Sequence, residues 1–529
     1  MGRRTDHLAA AGQVTAGNVV SRVTGLLRVL AVAGALGTTF LGNTYQTANL
    51  VSNLLFELLA AGLLSAVLVP PFVRLIEGGR RAEAEELAGS LLWLVLVSLG
   101  AVTIAAMVAR PWIMRGLTLA VPDAEVRASE IRLGSFLLAF FLPQVLLYAV
   151  GAVATALLHA THRFAAAAFA PVANNLIVIA TMAAFWATGG GTAGLEVSAS
   201  QRLILALGTT AGVAAMTAVP LVAVRRAGLR LRPRWAPDAE GLRGLARAGA
   251  WGGAYLAFGQ VLVATTLVLA NRTEGGVVAY QLAFTGFLLP HAVLAHPVAT
   301  TLYPRLAAEV ASGRAREFSR LLGSGVRTLA FRVAPASALL VVLGAPALGL
   351  VRLGALDAGG AGLAAKVLAA YAVGLVGYSA LHLLTRASYS LGDTRGPALV
   401  NLGVAAAGSV LMVLGSMVVG DPDDRVMVLG LAHSAAMLGG AVVLGALLRR
   451  QVAVPWPTGA PVARALACAT AAALLGRALA GLMPVGGRVA AALTIVVVGS
   501  AVTLVYLAGQ WALGAPEVGR RLLVPAADR

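Results

Sequence analysis

Polar and apolar positions sort into long apolar runs, separated by short charged or turn-rich breaks, along the whole chain. Many runs reach the roughly 18–20 residues that a helix needs to cross a bilayer core. Read against glycine, proline and charge signals, they predict about fourteen helices. Their approximate cores are 12–36, 45–73, 87–108, 131–158, 167–187, 201–224, 245–270, 277–303, 322–350, 363–390, 397–418, 427–448, 463–483 and 489–512. The expected class is an all-α polytopic membrane protein.

Polar residues interrupt these runs in stripes. Thr15, Asn18, Arg22 and Gly25 are spaced three, four and three apart, which puts them on one helix face. Arg28 lies six residues past Arg22, about 120° around the helix, and need not share that face. Gln46, Asn49, Asn53 and Glu57 form a stripe in the second span, Gln144, Tyr148, Thr155 and His159 in the fourth. The tenth carries Tyr378, His382 and either Thr385 or Arg386. A charged group in hydrocarbon costs at least about 2.5 kcal/mol, so such stripes face a partner or a water-filled cavity.

Guanidinium groups form paired hydrogen bonds with phosphate oxygens, so Arg22 suits capture of an anionic headgroup, and Arg28 likewise. Arg22 is also placed to pair with Glu57 and so orient the first two helices. Glu57 reads as a structural partner or as a proton- or cation-coupling group. His159 and His382 read as hydrogen-bonded helix residues before proton relays, and Asn174 and Asn175 as groups satisfying each other or backbone across helices. No spacing suggests a Walker loop, a metal site or a nucleophile triad.

Composition agrees: 59% of the 529 residues are hydrophobic and 12% charged, where soluble chains carry about a quarter charged. A net charge of +18 would suggest nucleic acid in a soluble protein. Here the charges sit in short loops and report topology instead, because cytoplasmic loops concentrate basic residues. One alternate set of loops holds Arg3/Arg4, Arg74/Arg80/Arg81, Arg163, Arg225 to Arg247, Arg305 to Arg320, Arg395, Arg449/Arg450 and Arg520/Arg521. The other set is nearly bare, and Asp421–Arg425 is net acidic. Both termini are therefore expected in the cytoplasm, with the N-terminal span retained rather than cleaved. The Arg225–Arg234 run reads as an anchor on anionic membrane lipid. Lys366 is the one lysine and Cys468 the one cysteine, so no disulfide can form within the chain.

An internal echo refines the organisation. Pro70 is followed by Gly79-Arg80, Glu83 and Leu87; 234 residues later Pro304 is followed by Gly313-Arg314, Glu317 and Leu321. A looser echo relates Tyr148 and Thr155 to Tyr378 and Thr385, each helix ending at a basic loop with Arg163 or Arg395. Two six-helix lobes in parallel repeat around a central cavity, a transporter architecture, follow as the expectation. The expected divisions are 1–224 and 225–450 for the lobes, and 451–529 for two further helices and a cytoplasmic tail.

Five motifs occur in order: Ser21-Arg22…Gly25…Arg28; Phe141-Leu142-Pro143-Gln144; Arg163-Phe164 with Phe169-Ala170-Pro171-Val172…Asn174-Asn175; Tyr280 to Leu289-Pro290-His291, ending at Tyr303-Pro304-Arg305; and Arg386…Tyr389…Leu391-Gly392-Asp393-Thr394-Arg395. Over roughly residues 15–450 they resemble the MurJ/MviN family of lipid II flippases, in the superfamily that also holds multidrug and polysaccharide exporters. Asn53-Leu-Leu-Phe-Glu57-Leu-Leu is most similar to its actinobacterial branch.

The resemblance implies a cationic cavity between the lobes and a C-terminal groove for a polyprenyl tail. It implies transport of a lipid-linked diphosphate precursor, lipid II first, across a bacterial plasma membrane for peptidoglycan synthesis. Cell-wall synthesis proteins are the other partners it suggests. It maps headgroup arginines onto Arg22 and Arg28; the further candidate contacts are Asn18, Asn53, Glu57 and Arg386. No cofactor or catalytic chemistry is expected, and the driver is an ion gradient or membrane potential. The chain departs from the family where many members have an acidic residue at Asn43, a proline at Ser52 and a basic pair at Phe56-Glu57. Two other functions fit a chain of this kind: a multidrug or small-solute antiporter, which would be expected to bury carboxylates beyond Glu57, and a non-transporting envelope scaffold.

Overall fold

The computed structural model describes residues 2–58, 69–192, 194–235, 242–452, 458–484 and 486–519, without the side chains of 2–15, 69–70 and 242–250. Every regular element among them is helical. Twelve helices are long and apolar enough to cross a membrane, and a thirteenth span is a bent pair, Ala358–Val373 with Leu375–Ser390. The sequence-predicted span 45–73 accounts for the difference from fourteen. It is described as Phe40–Phe56 and Val69–Glu77, and residues 59–68 between them lie outside the described residues.

Three predicted spans are interrupted, each for a local reason. Ala124–Phe141 gives way to Gln144–Ala160 at Leu142-Pro143, where proline lacks the N–H that would continue the ladder. The span expected at 277–303 is Gly276–Pro290, a π turn at His291–Ala295, then His296–Ala311. Pro297, at the start of the last segment, cannot donate to the turn before it. The tenth span bends by 48° at Gly374. A Cβ there would lie 2.5 Å from the Ser434 Cα. The Ser434 hydroxyl donates to the Ala370 carbonyl at 2.7 Å and lies 3.1 Å from that of Tyr371. A neighbouring helix thereby satisfies backbone that the bend leaves open, as apolar surroundings require.

The chain divides into two compact units, Met1–Val278 with Leu353–Asp357, and Ala279–Arg352 with Ala358–Arg529. In the first, Tyr45, Phe141, Met182 and Phe185 anchor one buried cluster, and Phe72, Val145, Val153 and Leu157 another. In the second, Gly459–Ala480 and Gly487–Ala512 pack against Ala315–Leu350. Tyr506 donates to the Phe331 carbonyl at 2.8 Å, Arg464 pairs with Glu517 at 3.2 Å, and Cys468 is buried.

Both sequence echoes appear as matching turns. After Val69–Glu77, Gly79 has φ +72° and the Arg80 N–H reaches back to the Leu75 carbonyl. After His296–Ala311, Gly313 has φ +67° and the Arg314 N–H reaches the Glu309 carbonyl. Both are helix C-caps in which a residue without Cβ enters the left-handed region. The looser echo is also structural. Arg163 N–H bonds to Leu158 across His162 at φ 58°, and Asp393 N–H bonds to Ser388 across Gly392 at φ 79°. Histidine in one copy and glycine in the other hid this correspondence from the residue pattern.

Candidate functional site

In the first unit, packing fixes which face of the N-terminal helix is open. Asn175, on Ala165–Ala187, donates to the Ser21 carbonyl at 3.2 Å and to the Thr24 hydroxyl at 3.0 Å. This is the interhelical bonding expected of that asparagine; its neighbour Asn174 instead leaves Oδ1 buried without a partner. With the Ser21/Thr24 side held, Asn18 and Arg22, four residues apart, are both exposed. Arg28 is half-buried and within electrostatic reach of the Tyr45 and Tyr148 hydroxyls.

The second-helix stripe grades from buried Gln46 to half-buried Asn49, Asn53 and Glu57. Phe56 beside it packs on Tyr148 with ring centroids 5.5 Å apart. Tyr148 thus packs on the Asn53–Glu57 stretch through Phe56 and lies within electrostatic reach of Arg28. The Arg22–Glu57 ion pair that the sequence allows is not formed, and Glu57 has no salt bridge among the described residues.

Sequence reasoning missed a second polar cluster in this unit. The Asn43 side chain donates to the Thr273 carbonyl at 2.9 Å and accepts from the Val277 N–H at 2.9 Å. Asn271 donates to Thr47 at 3.1 Å and to the Leu117 carbonyl at 3.2 Å. Thr44 donates to Glu130 Oε1 at 3.2 Å, while Oε2 of Glu130 is buried with no partner. Glu130 is 0% exposed, so Glu57 is not the only carboxylate inside. It stands among Arg127, Ser129 and Arg132 at the start of its helix, and in sequence it reads as one more loop charge.

In the second unit, Arg386 is half-buried one turn beyond His382 and acts on it electrostatically. Thr385 beside it is buried, with its hydroxyl unpartnered. Tyr378 joins a cluster of rings with Phe287 and His433. His291, His296 and His382 converge, with one ligand nitrogen from each lying within 4.8 Å of the others. No residue pattern marks this trio, because a spacing of five does not repeat on an α-helical face. Of the six candidate contacts read from sequence, Asn18, Arg22, Arg28, Asn53 and Glu57 belong to the first unit and Arg386 to the second.

Comparison with known proteins places this geometry in context. The model of the family described as "Lipid II flippase MurJ" matches residues 32–502. A probable lipid II flippase MurJ of Rhizobium meliloti (strain 1021) is 30% identical over 417 residues, covering 77% of this chain and 74% of the relative. The lipid II flippase MurJ of Burkholderia cenocepacia is 23% identical over 399 residues, 73% and 74% of the two chains. Among solved structures, a lipid II flippase MurJ in an inward closed conformation superposes with a TM-score of 0.74 at 16% identity, covering 94% of this chain and 98% of the other. An inward-facing multidrug-resistance transporter of the MATE family, in the MOP superfamily, gives a TM-score of 0.68 at 13% identity, covering 82% and 94%.

Proposed function

Because the chain belongs to the MurJ family of lipid II flippases, we propose that it carries a polyprenyl-diphosphate-linked cell-wall precursor, lipid II first, from the inner to the outer leaflet by alternating access. The match over residues 32–502 carries this reading. That match begins after Asn18, Arg22 and Arg28, so the roles proposed for these three rest on their placement. Arg22 is the exposed cation on the open face of the first helix, and Arg28 is half-buried within electrostatic reach of Tyr148. A diphosphate needs such countercharges, each charge-assisted contact contributing about 1.5–3 kcal/mol. Asn18, Asn53 and Arg386 are proposed as further polar contacts to the headgroup. Glu57, unpaired with Arg22, is proposed to stand at the edge of that face.

Flipping makes and breaks no covalent bond, so no catalytic residue is assigned, and the cycle draws on an ion gradient or the membrane potential. The basic loops are proposed to face the cytoplasm, with both termini. Gly459–Ala480 and Gly487–Ala512 leave Leu474, Val489, Val496 and Leu504 outward, a surface suited to the precursor's polyprenyl tail.

The test is rescue of a bacterium depleted of its own lipid II flippase. The wild-type chain should restore growth. Arg22→Ala should be made at a normal level and fail, with Arg22→Lys at most partly active, because an ammonium cannot reproduce the paired geometry. Failure of a well-expressed wild-type chain would overturn the flippase reading, and full activity of Arg22→Ala would remove Arg22 from the headgroup site.

A further inference from the structure

We propose that His291, His296 and His382 form a site for a transition-metal cation of the zinc class, clipping the π-bulged helix to the neighbouring Leu375–Ser390 helix. The bulge is what assembles it. In an α-helix, residues five apart point about 140° away from each other. Across the π turn, the His296 N–H bonds to the His291 carbonyl, so these two residues are related as positions i and i+4 are in an ordinary helix. Such single π turns recur at functional sites. His382, from the next helix, closes the triangle, with its ring centroid 5.3 Å from that of His291 and 5.7 Å from that of His296.

Two further observations point to a ligand. The His382 Nε2 is buried and without a hydrogen-bond partner among the described residues. His291 Nδ1 lies 3.0 Å from the Ser379 hydroxyl, which holds that ring in place, as second partners orient metal-bound histidines.

A tetrahedral ion with metal–nitrogen bonds of about 2.0–2.1 Å sets its ligand nitrogens about 3.4 Å apart. The present 4.8 Å limit needs a closure that side-chain rotation of His296 and His382, both only half-buried, can supply. Three neutral imidazoles select zinc, copper or nickel over magnesium or calcium. Three protein ligands leave a fourth position for water or an anion. Arg386, beside His382, favours an anion there and opposes a bare cation, so a halide or hydroxide is the expected fourth ligand.

The experiment uses the full chain, purified in detergent without a polyhistidine tag and stripped with chelator. Titration with Zn²⁺ in calorimetry should show a saturable step of one equivalent and a rise in thermal stability, since a ligand bound only by the folded state stabilises it. Mg²⁺ should do neither. His382→Gln and, separately, His296→Gln should lose both responses, while His159→Gln, outside the trio, keeps them. Each variant is accepted only if it elutes as a single species of wild-type size. If one of the trio variants aggregates, the other decides. Co²⁺ provides a second signature: four-coordinate binding should give intense visible absorption that vanishes in the same variants. A wild type with no saturable Zn²⁺ step, or a step unchanged in a well-folded trio variant, would overturn the site.

Discussion

At the scale of single residues, Asn43 and Ser52, two positions that the resemblance marks as departures from the family pattern, have structural partners. Asn43 both donates and accepts, bonding the Thr273 carbonyl and the Val277 N–H. An acidic residue there could accept but not donate when ionised. Asn43→Asp should therefore remove one of two donors to the Thr273 carbonyl, which keeps the Gly276 N–H at 3.0 Å, costing about 0.5–1.5 kcal/mol, and a lowered melting temperature of the purified protein would register it. An unchanged melting temperature would mean that the surroundings supply another donor. Ser52 likewise donates to the Phe141 carbonyl at 2.6 Å, a bond proline cannot make. The sequence identified both positions as unusual, but not why, because their partners lie 230 and 89 residues away. The stripes were legible as far as Asn18, Arg22 and the Asn49–Asn53–Glu57 run, where helical spacing alone sets the face. Glu130 was not: a carboxylate flanked by charges looks solvated until the helix that covers it is known.

At the scale of elements, hydropathy located the spans but not their irregularities. The break at Pro143 was foreseeable from the residue type. The bend at Gly374 was not, because it depends on what a neighbouring helix offers, and Pro297 marks a break beside His291–Ala295 without specifying a π turn. Ser434 is the clearest case, with its hydroxyl meeting carbonyls at the bend. Ser434→Ala should cost about 1–3 kcal/mol and loosen the bent pair. Faster amide hydrogen exchange confined to residues near Ala370–Tyr378 would show it, and exchange indistinguishable from wild type would argue that the bend holds itself. The helix-end turns divide the same way. The glycines at 79 and 313 announced their match, whereas His162 in a left-handed conformation concealed its correspondence with Gly392.

At the scale of the whole molecule, charge carries the orientation. Asp421 caps the helix Pro422–Val452, accepting from the N–H groups of Asp423 and Asp424 at 2.9 and 3.1 Å. Lys366 pairs with both carboxylates, at 3.7 and 3.5 Å. If basic loops face the cytoplasm, this acidic end faces out. A cysteine placed at Asp423 should react with a membrane-impermeant maleimide in intact cells, against a native Cys468 that is only 7% exposed. Labelling that appears only after lysis would invert the topology. The membrane class and the twelve or thirteen spans among the described residues were legible because bilayer thickness fixes run length. The bounds of the two compact units, Met1–Val278 with Leu353–Asp357 and Ala279–Arg352 with Ala358–Arg529, follow from contacts that no local pattern encodes.

The π turn at His291–Ala295 also bears on how the chain tolerates changes of length. In a regular helix, losing one residue rotates everything beyond it by about 100° and turns the buried face toward lipid. Here the extra residue is already accommodated within a single wide turn, and the flanking segments keep their phase on either side of it. A chain one residue shorter between His291 and His296 would close that turn to ordinary width, with both imidazoles still on one face. Within this span, that short stretch is where a one-residue deletion leaves the rest of the helix in register.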